Sequence, residues 1–252
     1  MFKTQIDQVG KAAQNKVGLL RRDPLSYFLL SMLAGMYIGF GILLAFTVSG
    51  QLNGASVTKL AMGAVFGVAL SLVVIAGGEL FTGSNFVLSV GLMTKKVSWT
   101  ETLYLWLVCW LGNACGSIVL ALLYHATGLQ VKGVATAMAT TAVAKMSATP
   151  TQLLTRAILC NILVCLAIWM TFQTKSDAAK LIMVFWCLLA FFTSGFEHSV
   201  ANMTLLTAAL LEPVGNAVSV AGWGYNLLWV TLGNMLGAII FLALPYTLAT
   251  RK

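Results

Sequence analysis

Three ionisable side chains, Glu79, Glu197 and His198, stand deep inside long apolar stretches of the chain. Ionisable groups are costly at membrane depth, so their presence there points by default to a pathway for a polar solute. His198 is the sharpest of the three. It lies in the polar stretch Thr193-Ser194-Gly195-Phe196-Glu197-His198-Ser199-Val200-Ala201-Asn202, with a carboxylate as its neighbour. Low-dielectric surroundings disfavour the charged ring and a bound anion favours it, so its protonation would answer to the anion itself. That chemistry suits passage of a weak-acid anion. Glu197 reads instead as a buried carboxylate that holds the stretch together through backbone amides and a lysine or amide partner. Glu79, within Gly77-Gly78-Glu79-Leu80-Phe81-Thr82-Gly83-Ser84-Asn85, reads as a cap on exposed amides at a second such stretch. His125, beside Ala126-Thr127-Gly128, reads as an interfacial residue.

Enzyme chemistry fits these residues poorly. Glu197, His198 and Ser199 are adjacent on one segment, and adjacent residues do not easily converge as a nucleophile and its base must. Two histidines far apart, with no cluster of Cys, His or Asp, give no metal pattern. Cys109, Cys115, Cys160, Cys165 and Cys187 all fall in apolar runs without a Cys-x-x-Cys pair, and read as packing residues. With no nucleotide motif either, no cofactor is expected.

The elements that carry these residues are membrane spans. Of 252 residues, 59% are hydrophobic and 9% charged, against about 25% charged in a soluble domain. Apolar runs cover approximately 26–49, 58–93, 102–127, 151–173, 180–211 and 225–248. Crossing a hydrocarbon core needs about 20 residues, so six crossings are expected and the second and fifth runs are too long. Each of those two is interrupted by one of the polar stretches above, and reads as two half-helices joined at a break. Backbone freed from helical bonding survives at membrane depth only inside protein or beside a wet cavity, so both breaks must point inward.

Leu111-Gly112-Asn113-Ala114-Cys115-Gly116 recurs as Leu232-Gly233-Asn234-Met235-Leu236-Gly237, and the two breaks are offset by a similar interval. A duplicated three-helix unit, 26–127 and 151–248, must enter the membrane from opposite sides in its two copies. The expected fold is therefore an all-α integral membrane protein with six transmembrane helices in two inverted repeats, the second and fifth helices broken, and a substrate site between the breaks. The glycines of the repeated motif read as close helix packing.

The net charge of +8 does not mark a nucleic-acid face. Lys3, Lys11, Lys16, Arg21, Arg22, Lys95, Lys96, Lys175, Lys180, Arg251 and Lys252 fall on one side, against Lys59, Lys132, Lys145 and Arg156 on the other or at flanking helix ends. This bias predicts both termini in the cytoplasm. Residues 1–25 show no signal-peptide pattern. Phe2, Ile6, Val9, Ala13, Val17 and Leu20 recur at helical spacing between lysines, which predicts a helix lying on the membrane with its apolar face among the lipids. Asp23-Pro24 ends it and starts the next helix, and residues 249–252 form a short cytoplasmic tail.

Glu79-Leu80-Phe81-Thr82-Gly83 and Gly195-Phe196-Glu197-His198-Ser199-Val200-Ala201-Asn202-Met203 resemble the formate/nitrite transporter family over residues 25 to 248. The resemblance implies an aquaporin-like subunit with its own pore, assembled as a homopentamer in a bacterial cytoplasmic membrane, that conducts formate, nitrite or hydrosulfide. It further implies that Thr82 faces His198 across the pore centre, and that Leu80 and Phe191 form the cytoplasmic constriction. Phe66 would form the outer one, with Leu70 lining the path between, while Lys145, Asn161, Glu197 and Asn202 form a buried polar group behind the histidine. The stretches 166–170, 186–191 and 226–234 are similar to the nitrite branch, which makes nitrite the expected substrate.

Overall fold

A computed structural model describes residues 2–250; Arg251 and Lys252, counted above with the basic side, lie outside the described residues, as does the side chain of Lys132. The chain is helical throughout, with no strand among the described residues. Its helices are α1 (Lys3–Arg22), α2 (Pro24–Leu52), α3 (Thr58–Leu72), α4 (Phe81–Met93), α5 (Trp99–Ala126), α6 (Lys132–Met146), α7 (Pro150–Thr171), α8 (Asp177–Thr193), α9 (Ser199–Leu211), α10 (Val220–Ala238) and α11 (Leu244–Ala249). A π-helical turn, Val73–Gly77, continues α3, and another, Ile239–Ala243, joins α10 to α11. Five spans are long and apolar enough to cross a membrane: Pro24–Leu52, Thr58–Gly77, Trp99–Ala126, Pro150–Thr171 and Val220–Ala249. The chain is a multi-pass membrane protein.

Local sequence sets the helix starts. Asp23 caps α2 by accepting the Ser26 amide at 3.0 Å, with Pro24 at the first helical position. The Ser26 hydroxyl and then its amide hold the Asp23 carboxyl below the ordinary carboxylate range. Ser98 with Glu101, and Thr149 with Gln152, form reciprocal capping boxes at α5 and α7.

Inside and outside are arranged as lipid demands. Leu25, Leu29, Leu33, Phe40 and Leu44 of α2, and Leu103, Leu107, Leu111 and Leu122 of α5, are exposed at helical intervals. By contrast α4 is buried from Phe81 to Gly91, and α9 from Ser199 to Ala209. These two half-helices carry many of the polar groups of the interior, among them Thr82, Asn85, Ser199 and Asn202. Surrounding helices therefore keep them from lipid, where their freed backbone ends would go unsatisfied.

Two segments differ from the expectation. The apolar stripe of α1, with Ile6, Val9, Ala13, Val17 and Leu20 buried, packs on the protein and not among lipids. A Cβ added at Gly91 of α4 would come within 2.6 Å of the Ala13 Cβ, and Lys96 Nζ donates to the Asp7 carbonyl at 2.9 Å. Periodicity reveals that a helix has an apolar face and is silent on what covers it. The link between the repeats also contains a helix, α6, whose Ala- and Thr-rich sequence packs on α2 and α9.

Candidate functional site

Both expected breaks are present. After Gly77 (φ +85°) the chain runs extended through Gly78, Glu79 and Leu80 before α4, and after Gly195 (φ +75°) through Phe196, Glu197 and His198 before α9. Positive φ strains any residue with a Cβ, so glycine at both corners is what lets each helix stop and turn.

One asparagine holds each break. The Phe81 amide donates to Asn113 Oδ1 at 2.9 Å, while Asn113 Nδ2 donates to the carbonyls of Ser31 (2.7 Å) and Glu79 (2.9 Å). Correspondingly, the Ser199 amide donates to Asn234 Oδ1 at 2.9 Å, and Asn234 Nδ2 donates to the carbonyls of Ala157 and Glu197, both at 2.9 Å. Each amide side chain thus satisfies the first donor of a half-helix and a stranded carbonyl before it. The sequence had offered these residues as a repeated Gly-Asn-x-x-Gly, and the glycines alone explained the pattern as packing. That packing is real, since a Cβ at Gly237 would meet Ile158 Cα at 3.1 Å. The asparagines add a function that the motif did not reveal.

A charge pair braces each break as well. Glu79 pairs with Lys16 of α1, and Glu197 with Lys145 of α6 at 2.7 Å. Asn202 Nδ2 also donates to Glu197 at 2.7 Å and to Asn226 Oδ1 at 2.8 Å, and Asn226 Nδ2 closes the ring on the Lys145 carbonyl at 3.0 Å. Three of the four residues expected to form a polar group, Lys145, Glu197 and Asn202, are therefore in contact. Asn161 stands apart from them. Its Nδ2 donates to the Thr82 carbonyl at 3.2 Å and to the Asn234 carbonyl at 2.7 Å, tying the start of α4 to the α10 residue that holds the second break. Asn226 and Lys16 were not singled out by sequence. An asparagine within an apolar run is the signal that could have found the first.

Thr82 Oγ1 and His198 Nε2 lie 3.1 Å apart, both side chains buried. His198 is also the N-cap of α9, where its Nδ1 accepts the Ala201 amide at 3.1 Å. A ring nitrogen that accepts carries no proton, so this geometry requires the neutral tautomer with its hydrogen on Nε2, donated toward Thr82. A doubly protonated ring would have to give up the cap.

Phe191 stacks on the His198 ring at a centroid distance of 5.9 Å and meets Phe66 edge-on at 5.7 Å. The residue expected beside Leu80 thus shares one aromatic cluster with the residue expected at the other constriction. Leu80 is buried at the N-cap of α4, and Leu70 is buried one turn beyond Phe66 on α3. A cavity of about 260 Å³ reaches His198 and Phe191, and its wall includes Lys59, Lys145, Arg156 and Glu197. Three cations face one carboxylate there.

Residues 3–248 match the family described as formate/nitrite transporter. The chain belongs to that family. It is 45% identical over 250 residues to the nitrite transporter NirC of Salmonella typhimurium, covering 98% of this chain and 92% of that protein. Among solved structures, one described as an FNT family ion channel superposes with a TM-score of 0.94 at 43% identity, over 99% of this chain and all of that one. A pentameric formate channel with formate bound superposes with a TM-score of 0.79 at 31% identity, over 90% and 97%. The family is one of transporters and channels, which agrees with the expectation that the residues around His198 do not form an enzyme site.

Proposed function

We propose that this chain conducts a small monovalent weak-acid anion, nitrite before formate or hydrosulfide, through a pore inside each subunit of a homopentamer. The observation that carries this reading is the contact of Thr82 with His198. It joins the two breaks at the end of a cationic cavity, where apolar side chains take over. Inverted three-helix repeats account for the matching asparagine and lysine–glutamate sets, and six crossings follow when α8 with α9 counts as one broken span. The lysine and arginine bias supports a topology with both termini in the cytoplasm of a bacterial cell and the cavity on the outer face.

In mechanism, the cations of the cavity raise the local anion concentration. Phe66 and Phe191 then strip water from the anion, with Leu70 along the path and Leu80 at the inner constriction. A bare anion there faces a large desolvation cost, and a weak acid escapes it by taking up a proton. His198 offers an Nε2 hydrogen and Thr82 a hydroxyl, so a partly protonated anion keeps two donors at the point of highest cost. Nitrate, the anion of a strong acid, has no such escape.

Nitrite is preferred because the relative of 45% identity is named a nitrite transporter. Formate is the second reading, supported by the similarity to the formate channel. Flux of nitrite, formate, hydrosulfide and nitrate into liposomes, each at several pH values, tests the proposal. Nitrite and formate should pass faster than nitrate, and faster as pH falls. Equal rates for nitrate and nitrite at every pH would refute weak-acid conduction.

A further inference from the structure

The three cations of the cavity are not equivalent. Lys145 is already committed to Glu197 at 2.7 Å, and its charge is balanced. Lys59 is exposed at the start of α3. Arg156 is half-buried on α7, and its own carbonyl accepts the Glu197 amide at 3.3 Å, which fixes the root of its side chain to the histidine break. Among the described residues neither Lys59 nor Arg156 has an ion-pair or hydrogen-bonding partner for its side chain. A positive charge without a carboxylate partner in the wall of a cavity attracts anions to that wall.

The two free cations also differ in what they can recognise. Lysine is a compact charge that attracts any anion, whereas the guanidinium presents two parallel N–H donors matched to a pair of oxygens on one atom. Nitrite and formate are both bent anions with two such oxygens. Chloride and hydrosulfide are not. We propose that Arg156 is a specificity-determining residue that receives a two-oxygen anion by a bidentate contact in the cavity, before it reaches the aromatic cluster and His198. Lys59 supplies only general attraction. The inference deepens the conduction reading and depends on it for the anion class, but the contact itself is a binding event that can be observed without flux.

The test uses full-length protein in nanodiscs with its arginines labelled at the guanidinium nitrogens with 15N. The Arg156 signal is assigned by its loss in Arg156→Lys. Titration with sodium nitrite, against sodium chloride at the same ionic strength, should shift that signal saturably for nitrite only. In liposomes, Arg156→Lys keeps the charge and loses the fork, and the nitrite concentration giving half-maximal flux should rise about tenfold, equivalent to about 1.4 kcal/mol. Hydrosulfide flux should change less than twofold. Equal shifts with both salts, or an unchanged half-maximal concentration in Arg156→Lys, would overturn the proposal and leave Arg156 as one more undirected charge. A saturable nitrite shift in protein that conducts no anion would uphold the site and refute conduction.

Discussion

At the scale of single residues, His198 has two duties that pull in different directions. Its Nδ1 caps α9 and its Nε2 meets Thr82, so the ring is held as a neutral donor. From sequence, a histidine at membrane depth suggested a ring that gains and loses charge. The cap shows that gaining charge would cost a hydrogen bond at the head of a buried helix, so the proton that matters is better placed on the substrate. His198→Asn separates the duties, because asparagine is a good N-cap and still donates. That variant should assemble and conduct, with most of the pH response lost if the ring itself relays protons and kept if the substrate brings its own. Measured flux at several pH values decides, and the cap geometry favours a retained response. Thr82→Val should have a smaller effect, reducing flux about two- to tenfold, since a hydroxyl contributes about 0.5–1.5 kcal/mol net. No change in flux would remove Thr82 from the path.

At the scale of elements, the two breaks were legible because glycine and charge interrupt otherwise apolar runs of more than 30 residues. What fastens them was not. Asn113 and Asn234 sit between glycines whose packing explained the motif, and only the fold brings each asparagine to an amide and a carbonyl about 30 to 40 residues away in sequence. Asn234→Ala would strand the Ser199 amide and the Glu197 carbonyl, at about 1–3 kcal/mol for each buried group left without a partner. The thermal midpoint of the protein in detergent should fall clearly, and Asn113→Ala should behave alike. Midpoints within a degree of wild type would mean that the breaks are held by their ion pairs alone. The contact face of α1 was hidden for a different reason. Its stripe of Ile6, Val9, Ala13, Val17 and Leu20 is as suited to lipid as to α4, and the choice rests on Gly91 leaving room for Ala13 and on the pairing of Lys16 with Glu79. The helix α6 escaped notice because alanine, threonine and glycine at most of its positions give little contrast between faces.

At the scale of the whole molecule, hydropathy alone set the class, since runs of twenty apolar residues leave few alternatives to a membrane. The proposed orientation rests on charge placement, with the loops after Lys95 and after Lys175 in the cytoplasm. Cysteines introduced there should react with an impermeant maleimide only from the cytoplasmic side; reaction in intact cells would reverse the sidedness of the cavity. Assembly was beyond the reach of single-chain physics, because the exposed leucines of α2 and α5 suit lipid and a neighbouring copy equally. The central claim, conduction of a weak-acid anion past His198, is tested most directly by nitrite flux into liposomes holding assembled wild-type or His198→Phe protein, followed from neutral to acidic pH. Wild-type flux should rise as pH falls, and flux in the variant should be nearly abolished at neutral pH, where phenylalanine offers neither donor nor cap. Wild-type rates and pH dependence in His198→Phe would contradict it, and would make the histidine no more than the cap of α9.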